Sequence, residues 1–119
     1  MILVNKHITI PIVIITIFIF LVPLNVFSAE VLQVKSASVI RIGDNNRDYK
    51  VKIACLDVDP LKEKEALEWL KMELPRKSKV NLLPKGSEDG VLVAKVINLN
   101  SEKDLANSMK ELGLAKLYC

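Results

Sequence analysis

Few side chains of this 119-residue chain could carry out catalysis. Its single histidine, His7, precedes a long apolar run, so the rest of the chain contains none. This excludes Ser-His-Asp and Cys-His nucleophilic catalysis, acid–base work by histidine, and zinc sites with histidine ligands. The two cysteines, Cys55 and Cys119, are too few for a four-cysteine metal site. Neither of the standard glycine-rich phosphate-binding motifs occurs.

Two groups of basic side chains could contact a polyanion. One is Lys50 with Lys52, and the other, here named the basic corner, consists of Arg76, Lys77 and Lys79. After the first 29 residues the chain retains 16 of its 17 basic residues and all 14 acidic ones, a formal charge of +2. That balance is far below the strongly basic composition of a dedicated nucleic-acid-binding domain. Solvated surface is therefore the simpler interpretation of both groups, and polyanion contact is the alternative.

Three aromatic side chains could stack on nucleic-acid bases. Trp69 lies beside the apolar stripe of a predicted helix, so we expect it to pack in the core. Tyr49 and Tyr118 are the better stacking candidates.

The first 29 residues are typical of an export signal. Lys6 precedes the uncharged run from Ile8 to Phe27, and Ser28 and Ala29 supply small residues suited to signal-peptidase cleavage. The run also approaches the ~20 residues that span a bilayer, so an uncleaved membrane anchor is the alternative. Both interpretations export residues 30–119, leaving them secreted, periplasmic or anchored outside the cytoplasm. Contact with a membrane is expected only through this segment, if it is uncleaved.

Residues 30–119 are long enough for one small domain with one modest core. Hydrophobic periodicity and turn residues divide this domain into short elements. We predict strands over Val31–Ile42, Tyr49–Leu56, Val80–Leu83, Val91–Ile97 and Leu114–Cys119, and helices over Leu61–Leu74 and from Ser101 to Leu112. A longish hairpin loop is expected around Gly43–Asn46 and a second loop over Pro84–Gly90.

The second predicted helix has clear end signals. Ser101 and Asp104 have the spacing of a capping box, and Gly113 can supply the left-handed residue at the carboxyl end. Its buried stripe is predicted to consist of Leu105, Ala106, Met109 and Leu112. Five short strands with a helix inserted midway are compatible with a small Greek-key barrel of the OB type, or with an open α+β sheet.

From Val34 to Tyr118 the order of these segments resembles the staphylococcal-nuclease-like (thermonuclease) domain. Tyr49–Asp57 resembles the family strand that ends in an aspartate, and Glu63–Leu74 resembles the first helix. The later segments Lys79–Leu83, Gly90–Val96 and Leu105–Tyr118 resemble the following strand pair and the second helix with its exit. The resemblance implies an α+β, mainly β fold over residues 30–119: an OB-type five-stranded barrel with helices packed on it.

The same resemblance implies a set of site residues. Members of the family hydrolyse nucleic-acid phosphodiesters with a calcium ion held by two aspartates, a glutamate that positions water, and two arginines. Asp57 matches the second metal aspartate, and Asp59 is the other candidate oxygen ligand. Lys52 matches an arginine that contacts phosphate, although lysine lacks the planar bidentate fork.

Three of the family's five roles have no matching residue. The stretch Ser36–Val39 has no acid where the first metal aspartate belongs, no glutamate follows Pro60, and Val91 stands at the second arginine. Two carboxylates would hold calcium poorly, so we expect a catalytically inactive or very weak nuclease-fold protein. It would bind nucleic acid, another polyanion or a protein partner.

The nucleic-acid-binding candidates are Tyr49, Lys50, Lys52 and Tyr118. One alternative is residual hydrolysis through Asp57 and Lys52, with Asp59 or Glu63 substituting as metal ligand or base. Another alternative is a structural module of the cell envelope.

The two cysteines are a candidate disulfide. In an oxidising compartment an even pair of cysteines is usually bridged. The resemblance places the end of the strand that carries Cys55 near the chain end, so that Cys55 and Cys119 could meet across the barrel. The alternative is a core thiol at Cys55 and an unpaired Cys119.

Overall fold

The computed structural model describes residues 29–119. The predicted signal or anchor, residues 1–29, therefore lies outside the described residues except for Ala29. Among the described residues, no helix is both long enough and apolar enough to cross a membrane.

Five strands close into a mixed β-barrel, which confirms the predicted fold class. The barrel strands are β1 (Ala29–Val34), β2 (Val39–Asp44), β3 (Arg47–Ile53), β5 (Lys79–Glu88) and β6 (Val91–Asn98). Antiparallel pairs join β1 to β2, β2 to β3, β5 to β6 and β1 to β5, and β3 pairs with β6 in parallel. This circular order, with a helix between β3 and β5, is that of an OB-type barrel.

The remaining elements are short and lie around the barrel. They are β4 (Leu56–Val58), a single 3₁₀ turn (Pro60–Lys62), α1 (Glu63–Glu73), β7 (Lys103–Asp104), α2 (Leu105–Glu111) and β8 (Ala115–Leu117). Strand β7 extends the sheet at the end of β6, and β4 pairs with β8 in a separate two-stranded ladder.

The prediction of one strand over Val31–Ile42 is wrong, because a tight turn divides it. The Ser36 hydroxyl accepts hydrogen bonds from the backbone N–H groups of Ser38 (3.3 Å) and Val39 (3.1 Å). A serine side chain that satisfies nearby N–H groups stabilises a turn instead of a continued ladder. The chain therefore reverses between β1 and β2.

Both predicted loops are shorter than expected. The hairpin between β2 and β3 turns on Asn45 and Asn46 alone, with φ values of 48° and 64°. Asparagine tolerates this left-handed conformation, which a two-residue hairpin turn requires. Strand β5 continues through the predicted loop Pro84–Gly90 as far as Glu88, with a register shift after Pro84. That irregularity accommodates a residue with no N–H to donate.

Helix α2 begins later than predicted. Asp104 is its N-cap, and its carboxylate accepts a hydrogen bond from the N–H of Ala106 (3.2 Å). Ser101 does not form the predicted capping box, because its hydroxyl donates to Glu73 Oε1 (2.7 Å). Leu112 was also wrongly assigned to the buried stripe: it follows the last turn of α2 and is 55% exposed.

The core fills the barrel and the space beneath the two helices. Side chains that point inward along the strands are fully buried, and α1 and α2 cover them with further buried residues. The largest fully buried side chains are Ile40, Ile42, Ile53, Leu70, Leu74, Leu105, Met109, Val31, Val51, Val80 and Val96. Trp69 is partly buried and packs against this core, as expected from the helical stripe.

Candidate functional site

Lys52, the candidate phosphate contact, is held by a carboxylate. It lies near the end of β3, opposite Val39 on β2 and Val93 on β6. Its Nζ is 2.7 Å from Glu88 Oε2 at the end of β5. The hydrogen bond and charge of Glu88 raise the pKa of Lys52 above its ordinary value. An anionic ligand at Lys52 would therefore have to compete with Glu88.

The candidate metal ligands lie together in a small cleft of about 370 Å³, with Gly113 and Lys116 on its other side. Asp57 is exposed on β4 and pairs in register with Lys116 on β8. Asp59 caps the 3₁₀ turn, because its Oδ1 accepts a hydrogen bond from the N–H of Leu61 (3.0 Å). One of the two carboxylates thus has a structural partner already.

This donor set does not fit calcium. Calcium takes about six to eight oxygen ligands, several of them from carboxylates. Within residues 29–119 no group of three or more His, Cys, Asp or Glu side chains is close enough to hold a metal ion. The Ser36 hydroxyl in the β1–β2 turn, near the position of the missing first aspartate, is engaged with backbone N–H groups. We therefore derive no hydrolytic step through calcium.

An open cleft lies between β3 and β6. These strands pair only from Val51 with Leu92 to Ile53 with Ala94, and the earlier parts of both strands are not paired with each other. The resulting space, here named the β3–β6 cleft, has a volume of about 760 Å³. It is lined by Arg47, Asp48, Tyr49, Lys50, Gly90, Val91 and Leu92.

The charges around the β3–β6 cleft leave two cations available. Asp48 is bound through both carboxylate oxygens by Arg41 on β2, and this hydrogen bonding lowers the pKa of Asp48. The same pair raises the pKa of Arg41. Among the described residues, neither Arg47 nor Lys50 forms an ion pair. The cleft therefore presents two positive side chains whose charge no bound carboxylate offsets.

Tyr49 supplies a partly apolar wall of this cleft. Its ring packs against the core, and its hydroxyl lies 3.4 Å from Asp44 Oδ2, to which it donates. Burial, with the charge of Asp44 second, raises the pKa of Tyr49 above its ordinary value. The ring is thus fixed in position and uncharged at neutral pH.

The structure brings together only part of the predicted binding set. Tyr49 and Lys50 share the β3–β6 cleft, whereas Lys52 and Tyr118 do not line it. Sequence reasoning missed Arg47, whose position directly after the Asn-Asn turn is the one signal that could have placed it beside the cleft.

A disulfide joins Cys55 to Cys119, with a Cα–Cα distance of 5.3 Å. It closes the β4–β8 ladder, where Leu56 pairs with Leu117 and the Tyr118 N–H donates to the Cys55 carbonyl (3.1 Å). Disulfides persist mainly in oxidising compartments outside the cytoplasm. The bridge thus hints at such an environment.

No protein-family model and no curated protein matches this chain. The relation to the nuclease-like family therefore remains a resemblance.

Proposed function

We propose that this chain is an exported, divergent relative of the nuclease-like domains that binds single-stranded nucleic acid through the β3–β6 cleft without hydrolysing it. The observation that carries the proposal is the pair of cations, Arg47 and Lys50, beside the half-buried ring of Tyr49. A cleft with cations for phosphates and an aromatic wall for bases is a common way to bind single strands.

The position of the cleft supports the same proposal. OB-type barrels bind oligonucleotides over the second and third strands and the loop between the fourth and fifth. Here those parts are β2, β3 and the Asp89–Gly90 turn between β5 and β6. The β3–β6 cleft contains the start of β3 and the residues that follow this turn. Export is proposed from the apolar N-terminal run and the disulfide together.

The test is fluorescence anisotropy of a labelled single-stranded oligonucleotide titrated with residues 29–119 at several salt concentrations. We expect binding at low salt that weakens steeply as salt rises. In the variant Arg47→Gln/Lys50→Gln, loss of two phosphate contacts should flatten the slope of log K against log salt by roughly 1.4. The variant Lys64→Gln/Lys110→Gln removes the same charge from exposed helix positions and should behave like wild type. Absence of binding at about 50 mM salt, where phosphate contacts still contribute strongly to affinity, would reject the proposal.

Residual hydrolysis is the competing function, and a nuclease assay distinguishes it. Purified residues 29–119 are incubated with labelled single-stranded DNA and calcium. We expect no turnover, because Glu88 holds Lys52 and Asp59 caps the 3₁₀ turn. Turnover that disappears in Asp57→Ala would establish the catalytic alternative instead.

A further inference from the structure

The loop after α1 is fixed against the first strand of the barrel. The N–H of Lys77 donates to the carbonyl of Val31 (2.7 Å), and the N–H of Val31 donates to the carbonyl of Ser78 (2.9 Å). Strand β1 also pairs with β5 through Ala29 with Val80. The basic corner, Arg76, Lys77 and Lys79, is thereby held beside the point where the chain enters the barrel.

The charge of the basic corner is only partly neutralised. Lys79 forms an ion pair with Glu30, which lowers the pKa of Glu30. Arg76 and Lys77 form no ion pair with any of the described residues. Both side chains are exposed, so two positive charges face solvent.

An apolar side chain is exposed at the same place. Leu99 and the basic corner line one depression of about 480 Å³, and Leu99 is 43% exposed. Its N–H donates to the carbonyl of Lys79 (3.0 Å), which fixes it beside the cations. Cations beside an exposed apolar side chain are typical of a surface that contacts a membrane.

The sequence explains why a membrane would be close. Only Ser28 separates the uncharged run Ile8–Phe27 from Ala29, the first residue of β1. Ala29 in turn pairs with Val80, the residue directly after the basic corner. A membrane that holds the apolar run would therefore be joined to the barrel at the strand next to the basic corner.

We propose that the basic corner, with Leu99, is a contact surface for the anionic headgroups of a lipid membrane. Arg76 and Lys77 meet phosphate groups, while Leu99 reaches the boundary of the acyl chains. If the apolar run stays as an anchor, this contact orients the barrel on the bilayer. If the run is removed, the contact gives weak, salt-sensitive peripheral binding.

The experiment measures co-sedimentation of residues 29–119 with vesicles. This part contains the five barrel strands, α1, α2 and the disulfide, together with the buried core that these elements form in the described part of the chain. Vesicles of phosphatidylcholine alone are compared with vesicles containing about 30% phosphatidylglycerol at equal ionic strength, a proportion in which the surface is clearly anionic. We expect binding to the anionic vesicles only.

The variant Arg76→Gln/Lys77→Gln should bind the anionic vesicles about 30-fold more weakly, because it removes two basic side chains that each usually contribute roughly fivefold to the affinity for such a surface. The charge-matched variant Lys64→Gln/Lys110→Gln should bind like wild type. Equal binding to both vesicle types, or equal losses in both variants, would overturn the proposal. So would displacement by inorganic phosphate at constant ionic strength, because the corner would then be a site for single phosphate ions.

A reciprocal comparison separates this surface from the nucleic-acid site. The variant Arg47→Gln/Lys50→Gln should bind the oligonucleotide more weakly and bind the anionic vesicles like wild type. The variant Arg76→Gln/Lys77→Gln should bind the oligonucleotide like wild type and bind the vesicles more weakly. If the second variant loses oligonucleotide and keeps the vesicles, the basic corner is a nucleic-acid surface and the membrane proposal is wrong. If neither site binds oligonucleotide but the vesicle result holds, only the proposed nucleic-acid function fails.

Discussion

Removal of the disulfide should destabilise the barrel by about 4 kcal/mol. Cys55 and Cys119 are separated by 64 residues, and cross-linking a loop of that length restricts the unfolded chain by this amount in the chain-entropy model. Small domains are stable by only about 5–15 kcal/mol in total. The bridge is therefore expected to be a large fraction of the free energy of unfolding.

The assay is urea unfolding followed by Trp69 fluorescence, since this side chain packs against the core. With a typical urea m-value, a loss of about 4 kcal/mol lowers the unfolding midpoint by roughly 2 M. Cys119→Ala is the sharper single variant, because Cys119 is exposed and its replacement removes the bridge with little other packing. Cys55 has a left-handed φ of 65°. Alanine at this position has a Cβ like cysteine, so the replacement leaves the backbone strain there unchanged.

The double variant Cys55→Ala/Cys119→Ala should therefore match Cys119→Ala within the additivity error of about 0.5 kcal/mol. A Cys119→Ala variant whose free energy of unfolding lies within about 1 kcal/mol of the wild-type value would refute the entropic reasoning. It would mean that the bridge restricts the unfolded chain much less than the model requires, or that strain in the native bridge offsets the gain.

Three further predictions follow from contacts at the site and at α2. Glu88→Gln frees its lysine partner and should steepen the salt slope of oligonucleotide binding by roughly 0.7, whereas Glu68→Gln on α1 should have no such specific effect. In the variant Tyr118→Phe, the absorbance at 295 nm reports the ionisation of Tyr49 alone, and its titration midpoint should be higher in the folded protein than in denaturant. The free energy of unfolding should therefore fall as the pH rises from about 10 toward the raised pKa of Tyr49 in the folded protein. Equal midpoints would contradict the argument that burial raises this pKa. Asp104→Ala should lower the free energy of unfolding by about 1 kcal/mol in urea titrations, and Asp104→Asn, which keeps the capping oxygen, by much less.

The strands and helices could be predicted because burial imposes a period on the sequence. Alternation from Tyr49 onward indicates β3, and the helical spacing of Ala66 and Leu70 indicates α1. Five short strands with a helix between the third and fourth were compatible with an OB-type barrel and with an open α+β sheet, and the family resemblance favoured the barrel that the structure shows. Periodicity reports which residues are buried, so it succeeds wherever one face of an element meets the core.

The turns could not be predicted equally well, because single side chains decide them. The hydroxyl of Ser36 ends β1 by accepting two backbone hydrogen bonds, although the apolar pattern continues through it. Asn45 and Asn46 both take the left-handed conformation, which shortens the hairpin to two residues. Conversely, Pro84 is a loop signal that β5 absorbs with a register shift.

The site was predicted in part, because its partners come from distant segments. Lys52 was correctly placed on a strand. Its partner Glu88 is 36 residues further along the chain. The β3–β6 cleft depends on where a parallel pair stops, and no local sequence pattern encodes that point. That Arg47 and Tyr49 line the same cleft could therefore be recognised only from the folded structure.

The ion pair of Lys52 with Glu88 bears on where a polyanion would bind. In a phosphodiesterase, cations must be free to meet the negative charge that develops on the phosphate. The positive charge of Lys52 is already balanced by the carboxylate of Glu88, 2.7 Å away, and a phosphate bound to Lys52 would leave Glu88 without its partner. Arg47 and Lys50 impose no such cost, because they are without carboxylate partners among the described residues. A polyanion should therefore bind along the start of β3 instead of at its end, where the hydrolytic residues of the resembling family would lie.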